Sequence, residues 1–198
     1  MKLFVFTDPH GSPNHLKHAE ETIKKNKVDA VICCGDITIF EQGIEQIIKK
    51  MDSWNVPIFL IHGNHEDEEI VEYLCEETKN IQFVHKKLVR NGNLVFLGFG
   101  GDGFSLRNKE FEDVSKKWIR KIHPNDFIIL FTHQPPFGAV DEVVSGQHTG
   151  SESIRMFIEQ IQPQLAFCGH IHDTFGEETK IGETRVVNTG PKGRIYDI

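Results

Sequence analysis

The sequence predicts an α/β fold built around a parallel sheet, and two observations carry that expectation. In the first half, short apolar runs alternate with longer polar stretches of helical periodicity, the pattern of βαβ crossovers. Along the whole chain, five apolar runs each end in Asp, Asn or His. In an open α/β sheet the ligand site lies outside the carboxyl ends of the strands, which is where those residues would fall.

Taken in order, Leu3 to Phe6 reads as the first strand, and Pro13 to Lys25 as a helix with Ser12 as candidate N-cap. Ala30 to Cys34 is the second strand. Glu41 to Met51 is helical because Ile44, Ile47 and Ile48 recur at helical spacing. Pro57 to Ile61 and Asp67 to Glu77 repeat the strand-helix alternation. The second half is richer in strands. Leu88-Val89-Arg90 leads into Asn91-Gly92, a hairpin turn signal, and then Leu94 through Leu97. Glycine-rich Gly98 to Gly103 predicts an irregular loop, and Glu110 to Lys121 a helix. Phe127 to Phe131 is unbroken in its apolar character, as in a buried strand. Ser151 or Ser153 would cap a helix through Gln160, and Leu165 to Cys168 is another strand. From Thr174 onward two or three antiparallel strands are expected around the Ile181-Gly182 turn. There is no internal repeat, low-complexity segment or linker, so residues 1–198 are expected to form one domain.

Composition narrows the class of partner. A chain of 198 residues buries roughly 70% of its unfolded surface, enough for a core without disulfide or structural metal. With 22 Lys and Arg against 29 Asp and Glu, the formal net charge is −7. An acidic surface argues against capture of long nucleic acid or an anionic membrane. The basic clusters, Lys24-Lys25, Lys86-Lys87 and Lys116-Lys117 with Arg120-Lys121, read as solvated faces. Cys33, Cys34, Cys75 and Cys168 form no CxxC pair, and three lie inside apolar runs, a pattern suited to a reducing compartment. No apolar stretch approaches the ~20 residues of a membrane span, and no signal-peptide layout opens the chain. The expected location is the cytoplasm, and the expected partner a small molecule.

The five polar endings are Asp8-Pro9-His10, Gly35-Asp36, His62-Gly63-Asn64-His65-Glu66, Thr132-His133 and Gly169-His170-Ile171-His172. Singly each is weak. An Asp-x-His is commonly an accident of a loop, a Gly-Asp a plain turn, and a His-x-His a surface strand pair. Their order and their shared position after apolar runs make the joint signal specific.

In these five blocks the sequence resembles the calcineurin-like metallophosphoesterases, whose hallmark order is Asp-x-His, Gly-Asp, Gly-Asn-His-Asp/Glu, a lone His and Gly-His-x-His. The likeness spans residues 8 to 172 and is greatest to the small stand-alone bacterial and archaeal branch. It implies a four-layer αββα sandwich, two mixed sheets face to face with helices outside. It implies a dinuclear centre as well, with Asp8, His10 and His172 on one metal, and Asn64, His133 and His170 on the other. Asp36 would bridge the two metals, and His65 would be the non-ligand histidine that contacts phosphate and protonates the leaving group. The segment Gly146 to Ser151 resembles part of some small members, without a role for His148. Pro9 is a departure that removes one N–H donor from the first loop but no ligand.

Imidazoles, two carboxylates and one amide oxygen suit manganese foremost, or iron, zinc, nickel or cobalt, rather than an all-oxygen magnesium or calcium cage. Two such ions about 3.5–4 Å apart would polarise a bridging hydroxide for in-line attack on phosphorus. Two divalent cations, Asp8, Asp36 and a hydroxide leave one positive charge, which favours a phosphate oxygen. A histidine is the natural proton donor to the leaving oxygen. The expected activity is phosphodiester hydrolysis. The alternatives are a phosphomonoesterase on the same site and an inactive scaffold that binds protein. Glu66 would either orient His65 or favour a helix N-terminus. Phe104 and Phe137 fall in loops near the expected site, as packing residues or as platforms for substrate.

Overall fold

Along Leu3–Phe6, Ala30–Cys33, Ile128–Phe131 and Leu165–Cys168 every residue is buried, and alternate residues belong to different cores, which is why these strands read as unbroken apolar runs. The computed structural model describes residues 1–144 and 146–198. A five-stranded sheet has the order β11-β1-β2-β3-β4, from β1 (Lys2–Phe6), β2 (Ala30–Cys33), β3 (Ile58–Leu60), β4 (Ile81–Phe83) and β11 (Arg194–Asp197). A six-stranded sheet has the order β5-β6-β7-β8-β10-β9, from β5 (Lys87–Asn91), β6 (Leu94–Phe99), β7 (Phe127–Thr132), β8 (Leu165–Cys168), β9 (Glu178–Ile181) and β10 (Thr184–Asn188). Both sheets are mixed: β11 is antiparallel to β1, and β5 and β9 are antiparallel edges on a parallel centre.

Helices α1 (Pro13–Asn26), α2 (Ile44–Asp52) and α3 (Glu68–Glu76) cover the first sheet, and α4 (Lys109–Ile119) and α5 (Glu152–Ile161) the second. Phe4, Phe6, Val31 and Cys33 pack with Leu16, Ile48, Met51 and Val71 of the first helical layer. Leu3, Val5 and Ile32 meet Phe96, Ile129, Phe131 and Phe167 between the sheets. Val95, Leu97 and Leu130 pack with Phe111, Trp118 and Phe157 of the outer helices. The result is the αββα sandwich in four layers. Each fully buried Phe or Leu contributes about 1.5–3 kcal/mol of transfer free energy. The sandwich core therefore fixes both sheets, and with them the edge at which their loops meet.

Local chemistry sets the ends of the elements. Ser12 and Ser151 accept from the backbone N–H groups of His15 and Ile154 and cap α1 and α5, and Asp67 accepts from Glu69 and Ile70 to cap α3. Ser153 instead donates to Glu112. Helix α2 begins at Ile44 rather than Glu41, because Phe40, Glu41 and Gly43 have φ of 47°, 62° and 71°, which no helix accommodates. In the hairpin Asn91 pairs with Leu94, so the two-residue loop is Gly92-Asn93, one residue later than the turn signal suggested. Strand β6 runs on through Phe99 and takes the first two residues of the expected glycine loop. Strand β4 is an addition that the sequence pattern did not suggest. Among the described residues, no helix is long and apolar enough to cross a membrane.

Candidate metal centre

The carboxyl ends of β1, β2 and β3 in one sheet, and of β7 and β8 in the other, open onto a single cleft. Backbone hydrogen bonds hold neighbouring loops together there: Asp8 N–H donates to Gly35 O (3.0 Å), His10 N–H to Asp36 O (3.0 Å), and Gly169 N–H to His133 O (3.0 Å). Two further bonds join the sheets. The His170 N–H donates to the Asp8 carboxylate (3.1 Å to Oδ2), and His133 Nδ1 donates to Cys34 O (2.8 Å). Asp8, His10, Asp36 and His170 all lie in the left-handed region, with φ of 52°, 45°, 49° and 66°. For residues with a Cβ this conformation costs about 1–2 kcal/mol each. Four of the residues that point into the cleft carry this strain.

All eight residues expected from the motifs line this cleft. Asp8, His10 and His172 each place a donor atom within 4.8 Å of the others, and so do Asp36, His133 and His170. Asp36 Oδ2 stands between the two groups, 3.8 Å from His10 Nε2 and 3.5 Å from His133 Nε2. Asn64 Oδ1 is 3.0 Å from His133 Nε2. His65 Nε2 is 3.8 Å from Asp36 Oδ2, and the His65 backbone N–H donates to Asp36 Oδ1 (3.0 Å).

Two backbone carbonyls decide which ring nitrogens are free. His133 Nδ1 carries the proton given to Cys34 O, and His10 Nδ1 the proton given to Thr38 O (3.0 Å). In the neutral rings both Nε2 lone pairs therefore face inward. His133 Nε2 meets Asn64 Oδ1 and Asp36 Oδ2, while His10 Nε2 lies 3.2 Å from His172 Nε2. His170 Nε2 is buried without a partner. Such converging lone pairs require a cation between them, either a proton or a metal ion.

At His133 in the metal-free protein, a proton fills that place. Burial alone would push the His133 imidazole down, but the Asp36 carboxylate, helped by Asp8, raises it to about 9. Burial alone would raise Asp36, but its bond to His133 and the His65 N–H hold it at about 2. Burial, with repulsion from His133, lowers His170 to about 4. Asp8 raises His172 above its usual range.

The glycines of these motifs permit close approach. A Cβ on Gly63 would overlap the Asp36 carboxylate, and one on Gly169 would overlap Thr7 Oγ1 and Asp8 Oδ2. Gly63→Ala and Gly169→Ala are each expected to lower the unfolding free energy of the metal-free protein by about 1–3 kcal/mol. Denaturant unfolding measures it, and unchanged midpoints would mean that the carboxylates have room to move.

The Glu66 carboxylate bonds neither the His65 ring nor an N–H of α3. It is buried, and it accepts from Thr38 N–H (2.9 Å), Thr38 Oγ1 (2.7 Å) and Gly63 N–H (2.9 Å), tying the loop after β2 to the loop after β3. Burial, with repulsion from Asp36, raises its carboxyl. His148 Nδ1 donates to fully buried Asp141 (2.8 Å), which also accepts from Gly138 and Gly150 N–H (2.9 Å each) and so closes the loop between them. Phe137 is half-buried beside His148. Phe104 is exposed, with its ring 4.6 Å from that of His170. Phe40, which no motif singled out, is exposed with its ring 4.4 Å from that of His65.

His65 joins a third group with His10 and Asp36, its donor atom within 4.8 Å of theirs, and a fourth group, His62, Glu68 and His85, differs in kind. Gly100 N–H donates to His85 Nδ1 (2.7 Å), so the neutral ring carries its proton on Nε2, 3.3 Å from Glu68 Oε2. Burial lowers His85 to about 2 and His62 to about 4. With its proton on Nε2, His85 offers a cation no lone pair.

Residues 1–174 match the family model for calcineurin-like phosphoesterases. An uncharacterized protein of Methanocaldococcus jannaschii, MJ1162, is 34% identical over 208 residues, covering 100% of this chain and 92% of that protein. A probable glycerophosphodiester phosphodiesterase, GpdQ, of Arcobacter nitrofigilis is 27% identical over 170 residues, covering 75% of this chain and 58% of that protein. The crystal structure of a dimetal phosphatase from Danio rerio superposes with a TM-score of 0.70 at 11% identity, covering 94% of this chain and 86% of that chain. At that identity the likeness is one of fold.

Proposed function

We propose, from the premise that this chain belongs to the calcineurin-like phosphoesterase family, that it is a dinuclear metal-dependent phosphodiesterase, with residues 1–198 acting as one domain. The observation that carries the reading is the convergence of inward-facing imidazole lone pairs on two carboxylates in one cleft. Asp8, His10 and His172 would hold one ion, Asn64, His133 and His170 the other, and Asp36 would bridge them. Manganese suits this mixture of nitrogen and oxygen donors, as do iron, zinc, nickel and cobalt. Two divalent cations supply Lewis acidity, a nucleophile at neutral pH and a clamp on the phosphate.

The chain's own residues do the rest. The Cys34 and Thr38 carbonyls fix the ring orientations, and the Glu66 carboxylate holds the loops of Asp36 and Asn64 in register. His65 sits at the mouth beside Asp36 without being needed as a ligand, and it would give its proton to the leaving oxygen. The diester preference draws on the acidic surface, which favours the singly charged ester over a monoester dianion, and on the likeness to the probable glycerophosphodiester phosphodiesterase.

The test is metal analysis together with a substrate panel. About two ions per chain, and a higher kcat/KM with Mn²⁺ for bis-p-nitrophenyl phosphate than for p-nitrophenyl phosphate, are expected. Preference for the monoester would make it a phosphatase, and bound metal with turnover of neither substrate would make it a scaffold.

Metal uptake should also depend on pH. Below about 9 the His133 ring carries the proton that a metal must displace, so apparent affinity rises with pH until about 9 and then levels. Asp36 is ionised above about 2 and adds no dependence in that window. Calorimetric titrations in buffers of different ionisation enthalpy read the released protons. Uptake with no proton release between about pH 6 and 8 would remove His133 from the ligand set.

A further inference from the structure

Of the fifteen phenylalanines, thirteen are buried or half-buried; the two exposed ones are Phe40 and Phe104, 72% and 69% exposed. Both lie against histidines of the cleft. The Phe40 ring is 4.4 Å from that of His65, the proposed proton donor, and the Phe104 ring is 4.6 Å from that of His170, a proposed ligand of the second ion. An exposed ring stabilises no core, so packing does not account for either placement.

Each ring is also set in place from behind. Phe40 sits at φ 47°, a costly conformation for a bulky residue. Its loop is anchored where Glu41 N–H donates to Thr38 Oγ1 (3.1 Å), and Thr38 is itself bound to Glu66 and His10. The Phe104 loop is held by Asp102, which accepts from Gly103 N–H (3.1 Å) and from the Asn108 amide. The loop lies close to His170: a Cβ at Gly103 would make an ordinary contact with the imidazole, at 3.6 Å. In the ion pairs among the described residues, no Lys or Arg is joined to a residue of the cleft. The rim offers apolar ring faces next to the position for phosphate.

Resting on the diesterase reading above, we propose that Phe40 and Phe104 determine specificity by seating the two organic groups of the diester. Phe40, beside the proton donor, receives the leaving group; Phe104 receives the group that stays on phosphorus. The favoured substrates are diesters with flat, aromatic or heteroaromatic groups on both sides of the phosphate. Small alkyl diesters fit the same centre without touching either ring.

The test uses Mn²⁺-loaded protein with diphenylphosphinate and dimethylphosphinate, whose P–C bonds resist hydrolysis. Calorimetry should give the parent a clear preference for the diphenyl anion. Phe40→Ala and Phe104→Ala should each reduce that preference about tenfold, equivalent to about 1.4 kcal/mol. In kinetics, Phe104→Ala should lower the ratio of kcat/KM for bis-p-nitrophenyl phosphate to that for methyl p-nitrophenyl phosphate by a similar factor, since the two share a leaving group. A parent that hydrolyses diesters yet binds both phosphinates equally, or variants that keep the parent's preference, overturn the assignment and leave the diesterase reading standing. Slower turnover in Phe40→Ala with the preference unchanged reduces Phe40 to a brace for His65, and overturns its part. A parent that hydrolyses no diester overturns the diesterase reading, and this assignment with it.

Discussion

Replacing Asp36 with asparagine is expected to empty both proposed metal positions together and to lower diester hydrolysis by roughly 10³-fold or more, about 4 kcal/mol of barrier. The reason is that one oxygen serves both groups. Asp36 Oδ2 lies 3.8 Å from His10 Nε2 and 3.5 Å from His133 Nε2, so it would be the negative charge common to the two proposed ions. An amide has the same shape, and its oxygen still accepts the His65 N–H that Oδ1 accepts in the parent, so the loop after β3 keeps its anchor. What disappears is the charge. Without it the His133 ring, held up to about 9 chiefly by Asp36, loses its proton near or below the ordinary histidine range. Elemental analysis after dialysis reads the metal content, and circular dichroism confirms the fold. A variant that retains two tightly bound ions would remove Asp36 from the bridging position.

How much of this was legible in the sequence depends on distance along the chain. The strands Leu3–Phe6 and Phe127–Phe131 stood out because both their faces are buried, but for the same reason they gave no sign of which core each residue faces. Strand β4 escaped because three residues, with Gln82 exposed between Ile81 and Phe83, are too few to show a period. The residues of the cleft stood out because each lies shortly after a strand, often behind a glycine that allows the close approach. Glu66 was misjudged because its partners, Thr38 and Gly63, include a residue 28 positions away whose relevance only the fold reveals. Phe40 gave no signal: in sequence it is one apolar residue in a loop, and its meaning comes from the His65 ring beside it.

The left-handed residues connect the fold to the chemistry. Asp8, His10, Asp36 and His170 each hold φ between 45° and 66°, and relaxing any of them would turn its side chain out of the cleft. The sandwich core and the hydrogen bonds between loops over-determine these conformations, which is the condition under which such strain persists at a functional site. A bound cation would add to that restraint, so the metal-loaded protein should resist unfolding more than the metal-free one, in proportion to RT ln(1 + [M]/Kd).

His65→Ala should separate chemistry from metal binding. The backbone N–H of His65, not its ring, anchors Asp36, and alanine keeps that N–H, so the metal cradle survives the substitution. The imidazole itself has a buried Nδ1 without a partner and packs against Phe40, with a side chain 22% exposed at the mouth of the cleft. A group so placed supports little of the fold, and its removal should show in turnover. Loss of a general acid costs roughly 10²–10⁴-fold when the leaving oxygen is strongly basic, and little when the departing anion is stable in water. The variant should therefore hold its full metal content, hydrolyse p-nitrophenyl esters nearly as the parent does, and fail on alkyl esters. Plotted against leaving-group pKa, its log kcat should fall more steeply than the parent's. Equal losses on all leaving groups would instead make His65 a contact for the phosphate that does not differ between ground and transition states in its protonation, and the proton would have to come from water or another side chain.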